Sequence, residues 1–272
     1  MNQTDEQKSP QADVLQRYSP KLTGYFIRYL KKRFFPKTFH AVRLMGRANV
    51  PDGKERPVVA FMNHSSWWDP ITGLVLNDEL FPDCAAFAPM DAEMLKKYAF
   101  MARIGLFPVE RDSARGAAGF VRTARALLAE PGRVLGLTPQ GEFVDARARP
   151  VEFKPGIAHL ARNWPDAVFL PIAMEQVFWN EKKPELLVNV GKPSDPRDNP
   201  GKSTDEWNEV LQTALENAMD VLAEAAIARD PAAFETILLA ETGTSPVYDL
   251  WRRLKAKVSG RQFSASHGEE NQ

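Results

Sequence analysis

The stretch from Pro57 to Pro70 reads PVVAFMNHSSWWDP. Val58 to Met62 is an apolar run of strand length, ended by the polar group Asn63-His64-Ser65-Ser66. Asp69 before Pro70 marks a helix start, because an aspartate accepts first-turn N–H groups and proline has no N–H to lose there. The same alternation continues outward. VLGLT (Val134 to Thr138), VFLPIAM (Val168 to Met174) and LLVNV (Leu186 to Val190) read as strands. Asp91 to Met101 and Ser113 to Glu130 read as helices, the second capped by Ser113 and ended before Pro131-Gly132. Strands spaced by helices predict an α/β fold, with a mainly parallel central sheet flanked by helices and reactive residues at strand ends.

This core is expected to span residues 57–195. Residues 1–18 and 260–272 are polar and are expected to be disordered. Residues 19–56 form a basic amphipathic segment, KLTGYFIRYLKKRFFPKTF from Lys21. Leu22, Phe26, Tyr29 and Leu30 fall on one helical face, Arg28, Lys31 and Lys32 lie largely off it, and Pro36 is expected to stop the helix. Aromatic rings interleaved with cations suit a membrane interface. A helix packed on its own domain with a solvated basic face has the same pattern. Beyond KPSDPRDNP (192–200), residues 196–259 read as a helical C-terminal extension. It holds an amphipathic helix from Asp205 to Arg229, with Ser203 and Glu206 as a capping box, and a second segment from Val247 to Val258.

Bulk properties narrow the function classes. The formal net charge is zero, so no global field argues for nucleic acid. A single cysteine, Cys84, excludes an internal disulfide framework. The N-terminus is polar and acidic where a signal peptide needs a basic stretch and then an apolar run. Nowhere do about 18 consecutive apolar residues occur, so no ordinary transmembrane helix is expected; if the protein works on lipids, it is expected to sit on the cytoplasmic side of the membrane without crossing it.

His64 and Asp69 are the residues best suited to chemistry. A neutral imidazole can take the proton of an attacking hydroxyl near pH 7. A carboxylate on the other ring nitrogen fixes the tautomer and stabilises the imidazolium that forms. Residues five apart in a regular helix sit roughly 140° apart around its axis, so the two can meet only across an irregular turn. Asp69 also has a simpler reading as a helix cap. Asn199-Pro200-Gly201-Lys202-Ser203 lacks the spacing of a phosphate-binding loop. There is no Gly-x-Ser-x-Gly nucleophile elbow, and no clustered His or Cys ligands suggest a metal.

Together these blocks resemble the glycerolipid acyltransferases whose best-known members acylate lysophosphatidic acid. Asn63, His64 and Asp69 match that family's Asn-His-x-x-x-x-Asp block. Gly105, Phe107, Pro108, Val109 and Arg111 match its Gly-x-Phe-Pro-Val-Asp-Arg turn, with Glu110 in the acidic place. Leu170-Pro171-Ile172 matches its proline-bearing strand. The third motif departs: Phe-Pro-Glu-Gly-Thr-Arg is replaced by Thr138-Pro139-Gln140-Gly141-Glu142-Phe143, so an amide stands for the carboxylate and Phe143 for the arginine that holds the acceptor's phosphate. Losing a bidentate cation is not conservative.

The resemblance implies acyl transfer from acyl-CoA or acyl carrier protein to a lipid hydroxyl at a membrane surface, with no metal or resident cofactor. His64 and Asp69 would be catalytic, and Asn63, Arg111, Gln140, Gly141, Glu142 and Lys154 substrate-binding. Arg147, Arg149 or Lys154 could supply the missing charge. The acceptor stays open between glycerol phosphate or lysophosphatidate, a lysophospholipid with a larger headgroup, and a glycolipid or other lipid alcohol. A catalytically inactive lipid-binding module and an acyl hydrolase are the rival readings.

Overall fold

The computed structural model describes residues 10–110 and 113–240. The expected Val247–Val258 helix, the 260–272 tail and Arg111 lie outside the described residues. The described residues begin with helix α1 (Pro10–Arg17), where the sequence predicts disorder over residues 1–18 but Val14 joins the core, followed by α2 (Pro20–Tyr29), a π-helical turn (Leu30–Phe34) and α3 (Phe35–Thr38). Then come β1 (Ala41–Met45), β2 (Val58–Met62), α4 (Asp69–Leu80), β3 (Ala85–Asp91), α5 (Ala92–Lys97), β4 (Leu106–Val109), α6 (Ala114–Leu127) and β5 (Arg133–Leu137). α7 (Gly156–Asn163), β6 (Val168–Val177), β7 (Glu185–Val190), α8 (Thr204–Ala228) and β8 (Glu235–Leu239) complete it.

The strands form one eight-stranded sheet in the order β4-β3-β5-β2-β6-β7-β1-β8. Pairing is parallel except at β6–β7 and β1–β8. Side-chain alternation divides the core into two layers. Val59, Phe61, Leu135 and Phe169 pack against α6, α7 and α8 through Leu127, Leu160 and Trp207. Val58, Ala60, Leu170 and Ile172 pack against α4 and the N-terminal helices through Val75, Leu76, Leu30 and Phe35. The predicted α/β class and its mainly parallel sheet are what the chain adopts.

The structure corrects several boundaries. β1, β3, β4 and β8 are strands beyond those the apolar runs predicted. β1 is an interior strand, so residues 41–45 belong to the sheet and not to a membrane-associating segment. Its Arg43 hides the pattern: the side chain is buried, donating from Nε to Glu185 Oε2 at 2.8 Å and from Nη1 to Thr236 Oγ1 at 2.8 Å. β8 pairs with β1, so the stretch after residue 196 is not a purely helical extension. α8 packs directly on the sheet, and its Ser203–Glu206 capping box is present as expected.

Pro36 does not stop the N-terminal helix. The π-helical turn widens the ladder, with Phe35 N–H reaching Leu30 O, and Pro36 then begins α3 where its lack of an N–H is harmless. The predicted apolar face is buried in part: Leu30 lies in the core and Phe26 packs against it, but Tyr29 does not follow them. Thr23, Ile27 and Leu30 face the core, whereas Tyr25 and Tyr29 are exposed. Lys31 ties this region to α4 through Asp78 at 2.6 Å and Glu79 at 3.1 Å.

Candidate active site

β2 ends at Met62, flanked by β5 and β6, so the loop from Asn63 to Trp68 leaves the middle of the sheet at its carboxyl edge. Open α/β sheets place their crevices outside that edge. Each end of the loop is anchored. Asn63 is buried, its Nδ2 donating to Met174 O at 2.9 Å and its Oδ1 accepting Met174 N–H at 2.8 Å. Both ends of the amide are thus spent on the backbone of β6, and the substrate-binding role expected of Asn63 becomes a clamping one.

His64 follows at once. Its backbone N–H donates to Gln140 Oε1 at 2.7 Å, and its carbonyl accepts Val144 N–H at 2.8 Å. The loop after β5 is therefore stitched to the loop after β2 on both sides of the histidine. The ring Nδ1 lies 3.2 Å from Asp69 Oδ2. Asp69 is 1% exposed and His64 keeps 14% of its side-chain surface, so the carboxylate is sealed and the ring is reachable. The carboxylate also accepts Ser66 N–H at 2.7 Å on Oδ2 and Ser66 Oγ–H at 2.9 Å on Oδ1. The intervening segment is an irregular turn, as the spacing requires.

Ser66, for which the sequence carries no expected role, joins the His64–Asp69 pair. Its Oγ accepts Gln176 Nε2–H at 2.6 Å and Trp68 N–H at 3.2 Å while donating to Asp69. Ser66-x-x-Asp69 matches the Ser-x-x-Asp spacing of a capping box, a signal that could have found it. Gln176, at the end of β6, carried none.

The other expected residues separate. Gln140 is buried and consumed by the His64 N–H, so it serves the protein's own loop. Gly141 has φ +76°, and a Cβ there would meet Lys154 Cγ and Cε at 3.2 Å, so glycine suits this turn twice over. Its N–H is bonded to Thr138 O at 3.0 Å. Glu142 is exposed, and Lys154 lies across Gly141 with its own N–H on Pro139 O at 2.8 Å. β4, the strand that ends at Val109, is separated from β2 by both β3 and β5. Phe143 puts its ring 4.5 Å from that of His64, inclined at 55°.

Beside the loop an open cavity of about 220 Å³ is bordered by Arg147, Arg149, Met174, Glu175, Met219 and Asp220. Burial pushes the Glu175 carboxyl above its ordinary range, against the pull of Arg147. Arg147 holds Asp145 well below the usual carboxylate range. Among the described residues no cluster of three or more His, Cys, Asp or Glu could hold a metal ion.

A buried carboxylate stands behind an accessible imidazole at the carboxyl edge of a parallel sheet, an arrangement that suits base-assisted group transfer. Residues 41–175 match the family model described as Acyltransferase, and the chain belongs to that family. Among solved structures it is similar in fold to the 1-acyl-sn-glycerophosphate (LPA) acyltransferase PlsC from Thermotoga maritima. The TM-score is 0.51 at 17% identity, covering 76% of this chain and 86% of that one. No curated protein shows a significant sequence match.

Proposed function

We propose that the chain moves an acyl group from a thioester, acyl-CoA or acyl carrier protein, to the hydroxyl of a lipid, with His64 as general base. The observation that carries this reading is the His64 Nδ1–Asp69 Oδ2 contact at 3.2 Å, which leaves Nε2 as the nitrogen available to substrate. Nε2 takes the acceptor's O–H proton as that oxygen attacks the thioester carbonyl. The resulting oxyanion collapses, the C–S bond breaks, and the imidazolium returns its proton to the departing thiolate. Because Gly141 N–H is already bonded to Thr138, the oxyanion donors are assigned to backbone groups after it in the same turn.

Membrane contact is supported by a run of aromatic rings. Phe100 meets Phe26 at 6.0 Å, Phe26 meets Tyr29 at 6.5 Å, Tyr29 meets Phe34 at 6.3 Å, and Phe34 meets Trp67 at 6.4 Å. Phe100, Tyr29 and Trp67 are exposed, and the run ends three residues from His64. Rings at this position suit a headgroup boundary that delivers lipid to the site. No helix among the described residues is long and apolar enough to cross a membrane.

Labelled acyl-CoA or acyl carrier protein, incubated with a lysolipid pool and resolved by chromatography, tests the reading against H64A. An acylated lipid from the wild type and none from H64A is the expected result. Free fatty acid identifies a hydrolase instead. Liposome binding without thioester consumption identifies an inactive lipid-binding module.

A further inference from the structure

We infer that the acceptor is a neutral lipid alcohol, with no phosphomonoester beside its reacting hydroxyl, and that Phe143 selects it; the inference rests on the acyl-transfer reading above. Phe143 occupies the place where the family pattern carries a phosphate-holding arginine. The structure shows that this exchange lands at the reacting centre, because the Phe143 ring lies 4.5 Å from the His64 ring. The contact is held by the backbone: Val144 N–H is bonded to His64 O at 2.8 Å, so the loop cannot swing away without breaking that bond. The ring is nonetheless 61% exposed, leaving a broad apolar face open next to the catalytic imidazole.

A phosphate dianion against that face would lose water and gain no charge partner from it. The C–H surface of a glyceryl or sugar unit loses little water and packs well on an aromatic face. The next cations along the loop are already engaged. Arg147 donates to both carboxylate oxygens of Asp145, at 2.9 and 2.8 Å. Arg149 donates to Asp220 Oδ1 at 2.7 Å and to the carbonyls of Ala146 and Ala148. The neighbouring cavity therefore carries Glu175 and Asp220 as well as the arginines. Alternating donors and acceptors match hydroxyl groups, whereas the fixed carboxylates oppose a second anion.

The experiment compares monoacylglycerol with lysophosphatidate of the same chain, at equal mole fraction in the same nonionic micelles, for wild type, F143R and F143L. The wild type is expected to favour monoacylglycerol by about tenfold or more in kcat/KM, F143L to keep that order, and F143R to invert it. Equal or better use of lysophosphatidate by the wild type overturns the inference. An unchanged preference in F143R removes Phe143 as its cause. If neither acceptor is acylated, the acyl-transfer reading fails separately. Equilibrium dialysis of H64A with short-chain, water-soluble forms of both acceptors then decides: tighter binding of the neutral one upholds the selectivity, and tighter or equal binding of the phosphate form ends it.

Discussion

Asp69 Oδ2 is shared between two donors, the backbone N–H of Ser66 at 2.7 Å and His64 Nδ1 at 3.2 Å. The carboxylate orients the ring only because the same turn orients the carboxylate. An asparagine cannot reproduce this: its amide must either face Ser66 N–H and the histidine with an NH₂ group or lose the Ser66 hydroxyl. D69N is expected to lower turnover by about 100-fold or more. It should also cost about 1–3 kcal/mol of stability, since buried donors lose their acceptor. Turnover and the thermal midpoint, measured together, separate the two effects.

Removing the Ser66 hydroxyl leaves the Asp69 carboxylate with His64 and one backbone N–H, and frees Gln176. S66A should lower kcat by about tenfold, the equivalent of one weakened hydrogen bond in the transition state, with KM little changed. A KM effect with unchanged kcat would show that Ser66 touches substrate instead of positioning the pair.

Gln140 supplies an oxygen to His64 N–H from a buried position. Q140L leaves that N–H unsatisfied, so a loss of about 1–3 kcal/mol in denaturant unfolding is expected, with reduced turnover as the loop shifts. Q140E keeps an accepting oxygen and should retain both stability and activity.

Glu175 is a carboxyl whose burial raises its pKa. The folded state therefore holds its proton more tightly than the unfolded chain, and stability falls as pH rises through the raised value. E175Q removes this penalty. Its thermal midpoint should exceed wild type at pH 7–8 by a small margin, about 2 °C or less for a half-exposed group, and the margin should vanish below the ordinary carboxylate range. A gain that persists unchanged in acid would assign the effect to packing.

Exposed rings at Tyr29, Trp67 and Phe100 are expected to carry interfacial binding. Replacing Tyr29 and Phe100 together by serine should weaken cosedimentation with anionic vesicles by about tenfold, near the cost of withdrawing two aromatic surfaces from an interface. Turnover on a water-soluble, short-chain acceptor should be unaffected. Loss on both substrates would point to a folding defect.

Much of the fold was legible locally. Val58–Met62, Val134–Thr138 and Leu186–Val190 are apolar enough to announce buried strands, and Ser113 and Ser203 announce the starts of α6 and α8 through side-chain oxygens that accept Gly116 and Glu206 N–H. β1 was hidden because Arg43 interrupts its apolar pattern, and its partners Glu185 and Thr236, far along the chain, make that charge tolerable in a sheet. β3 is alanine-rich with a proline, and β4 spans only Leu106–Val109, too short to signal.

The candidate site divides in the same way. The amino-acid order alone determined which residues could do the chemistry, because His64 and Asp69 sit in one short turn and their pairing needs only local geometry. Roles that depend on a distant strand were decided by the tertiary structure. Asn63 and Gln140 spend their polar atoms on Met174 and on the His64 backbone, and Phe143 lies against the imidazole, because parallel packing brings the ends of β2, β5 and β6 side by side. Hydrogen bonds act over about 3 Å, so a side chain's function is settled by what the fold sets within that reach.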